Sequence, residues 1–346
     1  MKKEINLGLL GSGTVGGGVI LVLKQNAAEI SKRVGVPVKI KKVFARHPEK
    51  VKALDASLPT TDDINDIMTD PDIDIVVELM GREHPAKEYI IDALKNQKNV
   101  VTANKDVVAK YAAEIFPEAE KSNVDFMFEG AVAGGIPIIR PLKCCLAANK
   151  INSIMGIVNG TTNYMLTKMS KQHMDFGVVL KEAQAKGYAE SDPTADIGGL
   201  DAARKLVILA SIAFNTRVTL EDISVEGIEK INIRDIEYAQ ELGYVIKLLA
   251  IAKNDPKNGI IVRVQPTMLP ASHPLATVND VYNAIFVNGD AVGDTMFFGR
   301  GAGRMPTASA VCGDIIDVSR NILYNCTGRI SSACFETKHM CAPENI

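Results

Sequence analysis

Residues 5–18 read INLGLLGSGTVGGG. Ile5–Leu10 is a short apolar run, which suits a buried parallel strand. It stops at Gly11-Ser-Gly13, and helical spacing begins at Thr14. The spacing Gly11-x-Gly13-x-x-Gly16, between a strand and a helix, is the dinucleotide-binding fingerprint in its required context. Gly11 permits the tight turn. Gly13 lets the backbone approach a pyrophosphate, and Gly16 lets the helix pack on the strand. The first turn of the helix, Thr14 and Val15, offers unpaired N–H groups and a positive dipole end to the phosphates. Nothing in the fingerprint accounts for Gly17 and Gly18.

Outward from this turn the first 130 residues alternate strand and helix. Strands are expected at Val38–Ala45, Ile73–Leu79, Asn99–Ala103 and Val124–Phe128. Helices are expected at Thr14–Ile30, Pro85–Asn96 and Asp106–Phe116. This alternation predicts an α/β, Rossmann-type, doubly wound parallel sheet. After Glu129 the pattern changes. Strands at Ile151–Val158, Tyr244–Ala252, Ile260–Leu269, Val281–Val287 and Thr295–Phe298 predict an α+β domain on a mixed sheet. Ile138–Ala148 reads as a helix, as do 162–173, 176–186, Asp201–Phe214 and Met305–Leu323.

Composition narrows the function. The chain has 346 residues, a net charge of −2 and 47% hydrophobic residues, enough for a sizeable core. Aromatics are 5% and Trp is absent. Neither a basic stripe nor a stacking platform for nucleic acid is expected. No apolar run reaches the ~18 residues of a membrane span. The start of the chain lacks a signal-peptide pattern, so a cytoplasmic location is expected. Six cysteines and five scattered histidines show no zinc spacing.

Three positions carry chemistry. The second expected strand ends Val43-Phe44-Ala45-Arg46, without the acid that usually binds a ribose 2′-hydroxyl. Arg46 can pair with a 2′-phosphate, with Lys50 and Lys52 as helpers, so NADP is expected, with NAD possible. Lys105 follows the end of a parallel strand, where ligands bind. Glu190, Asp192 and Asp196 crowd one loop, and Asp201 and Lys205 share a face of the apolar helix that follows. A lysine on a mostly buried helix is costly unless it is paired or functional.

Taken together, these blocks resemble homoserine dehydrogenases. The resemblance rests on GLLGSGTVG, IVVELMG at 75–81, VVTANK at 100–105 and FEGAVAGGIPII at 128–139. It continues through GIVNGTTNYML at 156–166, AESDPTADIGGLDAARKL at 189–206 and GRGAGRMPTASAV at 299–311. It implies NAD(P)-dependent interconversion of L-homoserine and L-aspartate 4-semialdehyde, in the branch leading to threonine, methionine and isoleucine. By resemblance, Lys205 is the proton donor and Lys105 the second active-site lysine, near nicotinamide and substrate. Glu190, Asp201 and Asp196 contact the substrate, and Gly187 lies near it. Gly301 and Gly303 form a second glycine segment at the nucleotide. Glu129, Val132, Gly134 and Ile136 form a sodium-type site of mainly backbone oxygens.

The resemblance further implies a homodimer paired through the second domain. It divides the chain into a dinucleotide domain, 1–130 with about 301–346, and a substrate, catalytic and dimerisation domain, 131–300. Arg82-Glu83-His84 stands where the family commonly has a second Gly. Residues 326–346 resemble a linker to a regulatory ACT domain, so feedback by threonine through such a domain is not expected. A semialdehyde dehydrogenase reading would need Cys144 or Cys145 as nucleophile, but the apolar stretch around them argues for a structural role. A dinucleotide sensor would need no proton donor.

Overall fold

The computed structural model describes residues 2–329 and 338–342. They form two compact units, residues 2–135 with 302–329 and residues 136–301 with 338–342. The first unit thus runs a few residues past the expected boundary at 130. Residues 338–342, expected with the dinucleotide domain, instead join the second unit. There Cys341 N donates to Ile260 O and Ile260 N to His339 O, both at 2.9 Å. Residues 330–337 and 343–346 of that closing segment lie outside the described residues.

The first unit opens with β1 (Ile5–Leu10), α1 (Thr14–Gln25), α2 (Ala27–Val34) and β2 (Val38–Phe44). Then come α3 (Pro48–Leu54), β3 (Thr60–Thr61), α4 (Asn65–Met68), β4 (Ile75–Glu78) and α5 (Ala86–Lys95). β5 (Asn99–Thr102), α6 (Lys105–Ser122) and β6 (Phe126–Met127) follow. All six strands are parallel, in the order β3-β2-β1-β4-β5-β6. The order reverses between β1 and β4, so the glycine turn sits at the switch point of the sheet, where nucleotides bind. α3, α4 and the two-residue β3 were not expected, because each is too short to show a period.

The second unit holds β7 (Ile151–Ile157), α7 (Gly160–Gln172), α8 (Phe176–Ala185), α9 (Thr194–Ile197) and α10 (Leu200–Phe214). It continues with β8 (Ser224–Val225), α11 (Ile233–Glu241), β9 (Tyr244–Asp255), β10 (Gly259–Pro270), β11 (Tyr282–Gly289) and β12 (Gly293–Arg300). The sheet runs β12-β11-β7-β9-β10-β8 and is mixed, antiparallel except at β10–β8. The stretch expected as a helix over 138–148 is helical only over 139–145, ending as a π-helix at Pro141–Cys145, with Cys144 and Cys145 both exposed.

α12 (Arg304–Leu323) closes the first unit. Its buried face, Ala308, Val311, Cys312, Ile315 and Val318, packs into the core with Leu7, Leu9, Val19 and Ile20. This packing explains one of the two spare glycines. A Cβ on Gly18 would lie 2.6 Å from Arg304 O, and one on Gly17 would lie 2.9 Å from Arg304 Nη2. Gly18 therefore lets α1 and α12 approach, whereas Gly17 meets only the movable end of the Arg304 side chain and, at 3.1 Å, Leu54.

One buried group in the second unit is costly. Lys247 on β9 is 1% exposed. Its ammonium donates to Val278 O at 2.5 Å, Asn163 Oδ1 at 3.0 Å and Asn279 Oδ1 at 3.3 Å. Burial pulls it from the ordinary 10.5 to about 8. Between those values the unfolded chain holds a proton that the folded chain has released, so stability rises with pH across that window. The gain is about 3 kcal/mol. Denaturant unfolding from pH 8 to 10.5 should show it in the wild type relative to Lys247→Met, which lacks the titrating group.

Candidate active site

In the first unit the turn after β1 is built as the spacing requires. Gly11 takes φ +97°, and a Cβ there would lie 2.9 Å from Leu79 O. Gly16 is tighter, since its Cβ would lie 2.2 Å from Gly11 O. Gly13 is the N-cap of α1, and a Cβ on it would meet no atom within 4 Å. The space is open on the side where Thr14 and Val15, in the first helical turn, present amides without intrahelical acceptors.

A cavity of about 280 Å³ adjoins this turn. Gly11, Ser12 and Gly13 form one wall, Leu79 and Met80 another, and Arg46, His47, Lys50, Arg82 and His84 bring five basic side chains. Among the described residues no ion pair engages Arg46. An open glycine, a helix N-terminus and a basic rim fit a phosphorylated dinucleotide. The Arg82 and His84 contribution was missed in the sequence, because both fall in a loop after β4 without a motif.

Lys105 is the first residue of α6, just past the end of β5, with its Nζ 3.7 Å from Asp106 Oδ2. Asn104 caps that helix, accepting from Val107 N at 3.3 Å. Glu129 is buried in a short 3-10 turn, and its N–H donates to Asp314 Oδ2 on α12 at 2.8 Å. Val132 is buried, and Ala133 and Gly134 follow at φ +56° and +48°. Ile136 opens the second unit. Among the described residues no group of three or more His, Cys, Asp or Glu side chains could hold a metal ion. Nor is any of their helices long and apolar enough to cross a membrane.

In the second unit the acids and the lysine of the 189–206 stretch form one network. Lys205 Nζ donates to Asp201 Oδ2 at 2.6 Å and to Val158 O at 2.7 Å. The two side chains are only 12% and 14% exposed. Asn159 ties in the third member, since its Nδ2 donates to Asp201 Oδ2 at 2.8 Å and to Asp196 Oδ1 at 2.7 Å. Its Oδ1 caps α7 by accepting from Thr162 N at 2.9 Å. Burial pushes the Asp196 carboxyl up. The Asn159 hydrogen bond opposes this and the Asp201 charge adds to it. Asn159-Gly160 reads in the sequence as a turn or cap, which it is. That the same side chain also bridges two acids depends on α9 and α10 folding back over β7, which spacing does not reveal.

Glu190 is exposed and outside this network, its backbone oxygen accepting from Gln184 Nε2 at 3.1 Å. Gly187 is exposed at φ +71° with open space at its Cβ position. Gly301 is different. It is buried, and a Cβ would lie 2.0 Å from Asn283 Nδ2, so packing within the second unit already accounts for it. Gly303 is exposed at the N-cap of α12.

Comparison with known proteins places these features. Residues 11–129 match the family model described as the homoserine dehydrogenase NAD-binding domain, and 137–316 the one described as homoserine dehydrogenase. The chain is 46% identical over 345 residues to the homoserine dehydrogenase of Bacillus subtilis (strain 168), covering 99% of this chain and 79% of that one. The crystal structure of a homoserine dehydrogenase from Thiobacillus denitrificans superposes with a TM-score of 0.92 at 47% identity, covering 99% of this chain and 78% of that chain. A hyperthermophilic archaeal homoserine dehydrogenase in complex with NADPH matches at TM-score 0.77 and 26% identity, covering 91% and 98%. With an all-parallel sheet carrying the glycine turn, and a second unit with a mixed sheet whose helices carry the acid and lysine network, this chain belongs to the homoserine dehydrogenase family.

Proposed function

We propose that Lys205 passes the proton in the homoserine dehydrogenase reaction, with Lys105 as the second cationic group at the reacting oxygen. The observation that carries this reading is the state of the Lys205 ammonium. Two of its three N–H groups are committed, to Asp201 and to Val158 O. The third has no partner among the described residues and is the donor for an incoming oxygen. When bound at the glycine turn, a reduced nicotinamide nucleotide would supply the hydride for the aldehyde carbon of L-aspartate 4-semialdehyde. As the carbonyl oxygen gains charge, Lys205 releases a proton to it and homoserine forms. Ammonium groups held in a partly dry site also stabilise that charge before the proton moves.

The acids divide the remaining work. Asp201 is spent on holding Lys205, and Asp196, held by Asn159, points one carboxylate oxygen into the same network. Glu190 and Asp196 are assigned to the substrate ammonium, a charge-assisted contact, with Gly187 keeping the approach open. The test is oxidation of NADPH on addition of L-aspartate 4-semialdehyde, followed by nicotinamide absorbance. An absence of turnover refutes the reading.

The glycine turn, with Thr14, Val15 and the Gly303 cap, is assigned to the dinucleotide, and Arg46 to a 2′-phosphate. NADP is the preferred cofactor on this reading, supported by the basic rim and the missing acid after β2. Arg46→Ala should raise KM for NADPH at least ~10-fold, the loss of one charge-assisted contact. KM for NADH should stay within about twofold, because no 2′-phosphate is present to feel the change.

A monovalent cation, sodium by preference, is assigned to Glu129, Val132, Gly134 and Ile136. Support comes from the left-handed turn at Ala133 and Gly134, since an alanine takes that conformation only at a cost of roughly 1–2 kcal/mol. Such strain persists where a site needs it. Replacing sodium with N-methylglucamine at fixed ionic strength is the check. Pairing of two chains through the mixed sheet is supported by Met296 and Phe298, 40% and 54% exposed on the edge strand β12. Light scattering reads the mass directly.

A further inference from the structure

Glu78 ends β4 and is fully buried in the first unit. Its register neighbours are Leu10, the last residue before the glycine turn, and Thr102, at the end of β5. Its Oε1 accepts from Met80 N at 2.6 Å and its Oε2 from Thr102 Oγ1 at 2.7 Å. Among the described residues no lysine, arginine or histidine forms an ion pair with it. Burial pushes its carboxyl up, opposed by hydrogen bonds from Thr102, Met80, Asn104 and Gly81. A buried acid without a counter-charge costs several kcal/mol unless its neighbours satisfy it. A sheet end that needed only packing would be better served by an apolar residue.

The hydrogen bonds run onward in one direction. Thr102 Oγ1 accepts from Asn104 N at 3.0 Å. Asn104 Nδ2 donates to Arg82 O at 2.8 Å, and its Oδ1 caps α6. Lys105 is the next residue. Meanwhile Leu79, Met80 and Arg82, in the loop that Glu78 holds through Met80 N, wall the cofactor cavity.

We infer that Glu78 is a positioning residue, which through Thr102 and Asn104 locks the start of α6, and with it Lys105, to the loop that walls the cofactor cavity. The inference rests on the assignment of Lys105 to the reaction. An acceptor-only group is required. In Glu78→Gln the amide would face either Met80 N or the Thr102 hydroxyl. Facing Thr102, it turns that hydroxyl from donor to acceptor while it already accepts from Asn104 N, and the link loosens.

The experiment measures kcat, both KM values and Tm for Glu78→Gln, Thr102→Val, Lys105→Ala and the double variant Glu78→Gln/Lys105→Ala. Expected for Glu78→Gln and for Thr102→Val is a kcat lower by roughly 10-fold or more, with KM values within about threefold, the pattern of an interaction felt in the transition state. Tm should fall by only a few degrees. In the double variant the losses should not multiply, staying within about twofold of Lys105→Ala alone, as for residues that act as one unit. Wild-type kcat in Glu78→Gln and Thr102→Val overturns the inference, and so does multiplication of the losses in the double variant. Wild-type kcat in Lys105→Ala alone is a different failure, since it removes Lys105 from the reaction and the inference falls with it. If Glu78→Gln does not fold, Thr102→Val takes its place in the same cycle.

Discussion

Lys205→Ala should lower kcat by roughly 10²–10⁴-fold, the usual worth of a positioned general acid, while the protein stays folded. The stability side can be argued from the same contacts. The Lys205 side chain is 12% exposed, and its ammonium satisfies Asp201 and Val158 O. Alanine strips one donor from each. Asp201 retains the Asn159 amide at 2.8 Å and so is not orphaned. The expected loss is then about 1–3 kcal/mol, one charged hydrogen-bond network member, which a two-domain chain survives. KM for NADPH should be unchanged within about twofold, since the cofactor contacts are assigned to other residues. Lys205→Arg sharpens the point. Arginine keeps the charge but does not release its proton in proteins, so it should restore Tm without restoring kcat. Recovery of kcat in the arginine variant would show that charge alone suffices and would remove the proton-donor role.

The legibility of the fold followed the length and period of each element. The parallel strands of the first unit are short apolar runs next to strong turn residues, and the sequence carries each of them except Thr60–Thr61, which is too short for any pattern. α6 shows how burial overrides a local signal. Pro117 suggests an end at Phe116, yet the helix continues to Ser122. Proline in a helix costs about 3 kcal/mol, and the buried Ile115, Phe116 and Ala119 on its inner face offset it. The opposite happens at Asn26, where a single expected helix breaks into α1 and α2.

The site was legible to different depths. Asp201 and Lys205 are four residues apart on one helix, so their contact follows from the helical repeat. Asn159, more than thirty residues away in sequence, could not be joined to them by any spacing rule. Glu78 was hidden for a related reason. Within the run IVVEL it reads as one polar residue in a strand, and only the register against Thr102 shows what it holds. Gly301 has a second reason to be glycine that its motif does not show, since a Cβ there would run into Asn283.

Gly13→Ala and Gly16→Ala should differ in kind. Both glycines belong to one fingerprint, but the added methyl meets different things. At Gly16 it would lie 2.2 Å from Gly11 O, a backbone atom of the turn itself. Neither the helix nor the strand can yield, because Gly16 is buried and Gly11 already lies against Leu79 O. The turn must open, so the variant should lose about 2–4 kcal/mol of stability, at the upper end of overpacking costs. Its cofactor affinity should fall with it. At Gly13 the methyl meets no protein atom within 4 Å and the backbone sits at φ −68°, a value alanine adopts freely. Stability should therefore hold within about 0.5 kcal/mol, as for a surface substitution. The methyl instead occupies the space assigned to the pyrophosphate, so NADPH should bind at least ~100-fold more weakly, a loss near 3 kcal/mol. Thermal unfolding with and without NADPH separates the cases. The wild type should gain several degrees from saturating NADPH by mass action. Gly13→Ala should start at the wild-type Tm and gain nothing, whereas Gly16→Ala should start lower. If Gly13→Ala keeps the full ligand-induced shift, the dinucleotide does not approach the backbone at Gly13, and the assignment of this turn to the pyrophosphate is wrong.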